Sequence, residues 1–134
     1  MAGMSDYLEN AVLNMLFGNT AYTVPVTLYV GLSTTAINDD GTGITEPVGN
    51  NYSRVAVTNT TVSWNTSTAG TISNKIRFEF PKATASWGII TYMFIADAAT
   101  EGNILVIGKL TEDKAVGTND TIAFDPGDMV FTLD

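Results

Sequence analysis

The carboxylates that could do chemistry come in two close pairs. Asp39 and Asp40 share one loop, and Asp125 and Asp128 flank one turn. Two carboxylates facing each other across a cleft can cleave a glycosidic bond. Nothing in the spacing brings the loop pair and the turn pair together. Asp in such places ordinarily binds nearby backbone N–H groups, so turn chemistry is the preferred reading. Asn38, Asp39, Asp40 and Glu46 also offer oxygen ligands near Gly41 and Gly43, as calcium requires. The EF-hand register Asp-x-Asp-x-Asp-Gly is absent, and a surface acidic loop is the expectation. The chain has no His and no Cys. Ser–His, Cys–His, disulfide and His-ligated or thiolate metal chemistry are therefore impossible within it. No catalytic, cofactor-binding or metal-binding residue is expected, and the chain reads as a non-enzyme.

Two further groups of residues could bind rather than react. Trp64, Trp87, Tyr22, Tyr29, Tyr52 and Tyr92 could form a sugar-binding platform, although aromatics on strands more often fill cores or interfaces. Leu8, Ala11, Val12, Met15 and Leu16 recur at helical spacing and form one apolar stripe. That stripe either covers the open side of a β-structure or lies in a groove of a neighbouring subunit. Four Asn-x-Ser/Thr sequons, at Asn51, Asn59, Asn65 and Asn119, are chance matches in a chain rich in Asn and Thr.

The elements that must position these residues are mostly strands. One helix is expected over about residues 5–17, capped by Ser5 or Asp6, with Glu9 echoing a capping box and Gly18 as its stop. Strands follow. Residues 24–32 alternate, with Val26, Leu28, Val30 and Leu32 on one face. A long loop over 33–51 comes next, and loops of that length are uncommon unless functional or flexible. Strands are expected at 54–58, 62–65, 75–80, 87–96, 104–110, 121–124 and 129–133, with turn-like stretches at 66–74 and 114–120. Ile76, Phe78 and Phe80 alternate with Lys75, Arg77 and Glu79, and 87–96 reads as a strand buried on both faces. Asp125-Pro126-Gly127-Asp128 is a strong turn signal. The sum is a mainly β protein over residues 1–134: one β-sandwich or Greek-key barrel of about eight strands with one N-terminal helix.

Composition limits the partners. The 134 residues fit one domain able to bury a real core. Only 15% are charged, and the net charge is −8. The six basic residues are scattered, so nucleic acid is not an expected partner. The acidity suits solubility and complementarity to a basic protein surface. No apolar run approaches a membrane span, and Asp6, Glu9, Asn10 and Asn14 interrupt the N-terminal apolar residues. The chain reads as soluble, made inside a cell, and able to end in a larger particle.

Three stretches carry a family resemblance. The first runs from Tyr7-Leu8-Glu9-Asn10-Ala11-Val12-Leu13-Asn14 through Phe17-Gly18-Asn19-Thr20-Ala21-Tyr22 into Val26-Thr27-Leu28-Tyr29-Val30-Gly31-Leu32. The second is Tyr52-Ser53-Arg54-Val55-Ala56-Val57. The third runs from Ala85-Ser86-Trp87-Gly88-Ile89-Ile90-Thr91-Tyr92 through Gly102-Asn103-Ile104-Leu105 and closes with Lys114-Ala115-Val116, Asp120-Thr121-Ile122 and Gly127-Asp128. Together they resemble a family of small tailed-bacteriophage virion proteins, often labelled tail-fibre proteins and including capsid decoration or cement proteins. The resemblance spans most of the chain apart from the 33–51 loop and brings no catalytic residues. It implies a virion structural protein, assembled in the host cytoplasm. The first expectation is capsid decoration, binding the major capsid protein or another virion protein and copies of itself, a trimer among the possible homo-oligomers. A tail or tail-fibre component is the alternative, and a carbohydrate-binding β-sandwich module the further one. Expected contact residues are Leu8, Val12, Met15 and Leu16 on the helix, and Asp39, Asp40, Ile44 and Val48 in the loop.

Overall fold

The computed structural model describes residues 2–133. The chain is mainly β, with one N-terminal helix and a β-sandwich-like arrangement. Nine strands occur among the described residues: β1 (Ala2–Met4), β2 (Thr27–Ser33), β3 (Val55–Thr58), β4 (Thr71–Ser73), β5 (Phe78–Glu79), β6 (Gly88–Ala96), β7 (Ile104–Val116), β8 (Ala123–Phe124) and β9 (Val130–Thr132). Helix α1 (Asp6–Gly18) lies between β1 and β2. Seven strands form one curled sheet in the order β3-β2-β6-β7-β1-β9-β4, and β5 pairs with β8 in a second, two-stranded sheet. All pairings are antiparallel except β1 with β9.

The main core lies between the two sheets. Val30, Leu32, Val57, Ile90, Met93 and Ile95 pack in one cluster with Phe78, Phe80, Trp64, Trp87, Ile122 and Met129. A register shift between Ile90 and Tyr92 explains how β6 serves this core. Strict alternation would put Ile90 and Met93 on opposite faces. Across that shift β6 advances two residues while β7 advances five, and both Ile90 and Met93 reach the main core, while Phe94 and Ala96 belong to the cluster on the other face. From Met93 to Ala96 the strand is buried on both sides, whereas Gly88 and Ile89 at its start are exposed.

Several sequence expectations are corrected. The extended segment before β2 leaves Val26 outside the sheet and 84% exposed. Residues 62–65 form a turn with a lone bridge from Trp64 to Asn74, and the 66–74 stretch contains strand β4. Only Phe78–Glu79 of the 75–80 stretch is strand, and Ile76 is exposed while Phe78 and Phe80 are buried. Strand β7 runs on to Val116, six residues beyond its expected end, because Lys114, Ala115 and Val116 pair with the start of β6. Helix α1 stops at Asn19, in the left-handed conformation at φ 50°, with Gly18 still helical. Asn tolerates that conformation, so the glycine is not needed for the stop.

Candidate assembly surfaces

The 33–51 loop is a tightly bonded cover for the outer face of the sheet. Ile37 is buried and Ile44 half-buried against Phe94, Ala96, Tyr92, Ile104 and Ile107. The buried Ser33 hydroxyl accepts from the N–H groups of Thr35 (3.2 Å) and Thr45 (3.0 Å) and donates to the Thr35 carbonyl (2.8 Å). The Asp40 carboxylate accepts from the Thr42 hydroxyl (2.6 Å) and N–H (3.0 Å), which hold its pKa below the usual carboxylate range. The loop's far end is pinned by an ion pair. Arg54, only 5% exposed, meets Glu46 at 2.6 Å and also donates to the carbonyls of Ala98 (2.7 Å) and Glu101 (2.9 Å). Its guanidinium lies 4.9 Å over the Phe94 ring. The Tyr52 hydroxyl donates to Glu46 (2.7 Å) and accepts from the Leu32 N–H (3.0 Å). Burial, with the adjacent Glu46 carboxylate, pushes the Tyr52 phenol well above its ordinary pKa.

These bonds occupy two of the carboxylates that the sequence offered to calcium, those of Asp40 and Glu46. Glu46 serves Arg54 and Tyr52, Asp40 serves Thr42, and the Asn38 side-chain amide donates to Thr42 (2.9 Å). Asp39 and Asp40 are exposed, Ile44 is half-buried, and Val48 is 91% exposed beyond the loop's apolar anchor.

The turn carboxylates have local partners as well. Asp125 meets Arg77 at 2.5 Å, and Asp128 accepts from the Asp125 N–H (3.0 Å). Gly127, at φ 85°, supplies the left-handed position of that turn. An open cleft of about 460 Å³ includes Asp125, Asp128 and Glu112 in its lining, but neither Asp39 nor Asp40. The loop pair and the turn pair therefore do not converge there. No group of three or more His, Cys, Asp or Glu side chains suited to a metal ion occurs among the described residues.

Both indoles are core residues, 5% and 6% exposed. Trp87 donates from Nε1 to the Asn50 carbonyl (2.9 Å) and packs edge-on against Tyr52. Trp64 packs edge-on against Phe78 and Phe131. A sugar platform built on either ring has no exposed face to offer.

Helix α1 is assembled differently. Ser5 caps it, accepting from the Leu8 N–H (3.3 Å) and donating to the Ile104 carbonyl (2.5 Å). Asp6 is tied to the loop, its N–H donating to the Asp39 carbonyl (2.8 Å). Leu8 packs against the main core, and Ala11 and Val12 are half-buried. Beyond that point the helix loses cover. Met15 is 40%, Leu13 53%, Leu16 63% and Phe17 83% exposed, and no residue of α1 is buried. At 100° per residue, Leu13 and Phe17 lie opposite Leu8 and Met15, so the last two turns are apolar nearly all round. Such a helix is normally enclosed. Of the expected helix contacts, Leu8 and Val12 serve the chain's own fold, and Met15 and Leu16 stand free. Leu13, Phe17, Val24 and Val26 were outside the expected set because they lie off the stripe or in an assumed strand.

What fold and surface define is a β-sandwich-like scaffold with a pinned loop on one face and an uncovered apolar helix end. The chain belongs to a family of phage virion proteins: the family model described as Podophage GP4 fiber I protein gp80 matches residues 3–132. No curated protein matches it. Membership makes the chain a structural protein of a bacteriophage virion, as the motif resemblance implied.

Proposed function

We propose that the chain is a fibre component of a podophage virion, acting by attachment and carrying out no catalysis. The observation that carries this reading is the family match across residues 3–132, whose description names a fibre protein. It supports the fibre position over the capsid-decoration position that the sequence first suggested. The carboxylates of Asp40, Asp125 and Asp128 are engaged in turns and an ion pair, which supports a passive role. The partners in this reading are another virion protein and copies of the chain itself, brought together in the host cytoplasm. Asp6 and Glu9 in the first helical turn adjoin the loop bearing Asp39 and Asp40, an acidic end suited to a basic protein surface.

Quantitative mass spectrometry of purified virions tests the position. A few dozen copies or fewer per particle is the expected result. Hundreds of copies would move the chain to the capsid shell, and its absence from purified particles would remove the virion role.

A further inference from the structure

The two edges of the large sheet are finished differently. Strand β4 ends one side, and residues 65–68 fold back over it. Thr68 and Thr71 exchange N–H to carbonyl bonds (2.9 and 3.0 Å), and the Ser73 carbonyl accepts from the Asn65 N–H (3.0 Å). Strand β3 ends the other side without such cover. The Asn59 N–H donates to the Val26 carbonyl (3.0 Å), in register with the pairing of Val57 with Leu28 and of Val55 with Val30. Hydrogen bonding alternates along an antiparallel pair, so Val55 and Val57 turn their backbone groups to β2, and Ala56 and Thr58 turn theirs outward. The Thr58 carbonyl accepts from the Thr60 N–H (2.9 Å). Neither the N–H nor the carbonyl of the exposed Ala56 has a partner among the described residues. Natural edges are commonly guarded by Lys, Pro or a bulge. The strand Val55-Ala56-Val57-Thr58 carries none of these. Beside it lies an open groove of about 340 Å³ whose far rim is Ile76, Arg77, Phe78 and Glu79.

We propose that β3 pairs antiparallel with β3 of a second copy of this chain, around a two-fold axis at Ala56. The unpaired backbone groups say what kind of segment fits. An N–H and a carbonyl of one residue, both turned outward, are satisfied together by one residue of an antiparallel strand. At the axis that residue is Ala56 of the second copy, and two short side chains let the backbones close up. The charges on the groove select the occupant among strands. Arg77 and Glu79, about half exposed, stand one on each side of the buried Phe78. A two-fold meeting sets Arg77 of each copy against Glu79 of the other, so each sign meets its opposite. A strand bearing a single sign of charge would suit one of these side chains and repel the other. Pairing also covers Val62 and Ile76, 66% and 42% exposed on the same groove. It joins two seven-stranded sheets into one. This pairing deepens the fibre reading and rests on it for its place in the particle.

Sedimentation equilibrium on the full chain, over a range of concentrations, tests this. The expected result is a reversible dimer. Ala56→Pro removes the outward N–H without breaking a bond inside the chain, a change that an edge strand tolerates. It should weaken dimerisation at least about tenfold with an unchanged circular dichroism spectrum, since each copy loses a bond. Ala56→Lys guards the edge with a charge and should do the same; it decides the matter if Ala56→Pro disturbs the fold. Arg77→Glu and Glu79→Arg should each weaken the dimer when alone, because like charges then face each other across the axis. An equimolar mixture of those two variants should recover it, as only contact between copies of this chain requires. A wild-type chain monomeric at every concentration would overturn the proposal. So would dimerisation indifferent to both Ala56 substitutions, or a mixture no tighter than its separate variants. A monomeric chain found at a few dozen copies per virion would sink the pairing and leave the fibre reading standing.

Discussion

The 33–51 loop and the α1 helix exchange the roles their compositions suggest. The loop is polar, rich in Gly and Thr, and looks like mobile surface. It is instead braced within itself by Asp40 and fastened to the sheet by Ser33, Glu46 and Ile37. The helix is apolar and looks like core, yet none of its residues is buried. What separates them is partners. The loop's few apolar side chains meet Phe94 and its neighbours, and its polar groups meet one another. The last turn of the helix leaves Leu16 and Phe17 mostly uncovered. Burial follows what the fold brings alongside a segment, rather than the segment's average hydropathy.

If the loop is scaffold and the helix end is contact surface, substitutions should separate them by stability. The largest loss is expected from Arg54→Ala. It would strand the Glu46 carboxylate and two carbonyls and uncover Phe94, destabilising by about 3 kcal/mol in urea denaturation. A loss below about 1 kcal/mol would mean the loop is not anchored there. Next is Gly31→Ala. Gly31 pairs with Phe94, and an added Cβ would lie 2.2 Å from the ring's Cζ. Overpacking of this kind costs about 1–3 kcal/mol and should lower Tm measurably.

Tyr52→Phe should cost about 1 kcal/mol near neutral pH by removing the hydroxyl from Glu46 and Leu32. It should also change the alkaline limb. The folded chain holds the Tyr52 proton more tightly than the unfolded chain does. The associated stability is therefore fully present below about pH 10, the unfolded phenol's pKa, and falls as pH rises beyond it. Tyr52→Phe should flatten that fall, which denaturant titrations from neutral to alkaline pH would reveal. The smallest effect is expected at Phe17→Ala, within about 0.5 kcal/mol, because the ring has little to lose inside the chain. A larger loss would mean that α1 packs on its own scaffold and that the contrast with the loop fails.

Much of the fold was legible because it is local. The alternation of Leu28, Val30 and Leu32, the apolar run of β6 and the Asp125–Asp128 turn all appear where the sequence places them. Strands β1 and β4 were not legible: three residues such as Ala2-Gly3-Met4 or Thr71-Ile72-Ser73 show no period, and only distant partners make them strands. The bulge that turns Phe94 away from the main core leaves no local mark either. Nor did the loop announce its role. Ile37 and Ile44 are isolated among polar residues, and their partner Phe94 lies far along the chain. On the helix, the apolar stripe was visible, but its lack of cover was not. The retrospective signal is the uncharged run over residues 10–38.

A density map of the intact virion at side-chain resolution is the most direct measurement. The account expects this fold on the tail side of the particle, with Leu13, Leu16 and Phe17 covered and the Glu46–Arg54 pair unchanged. A particle without the fold, or one in which that helix end faces solvent, would contradict it.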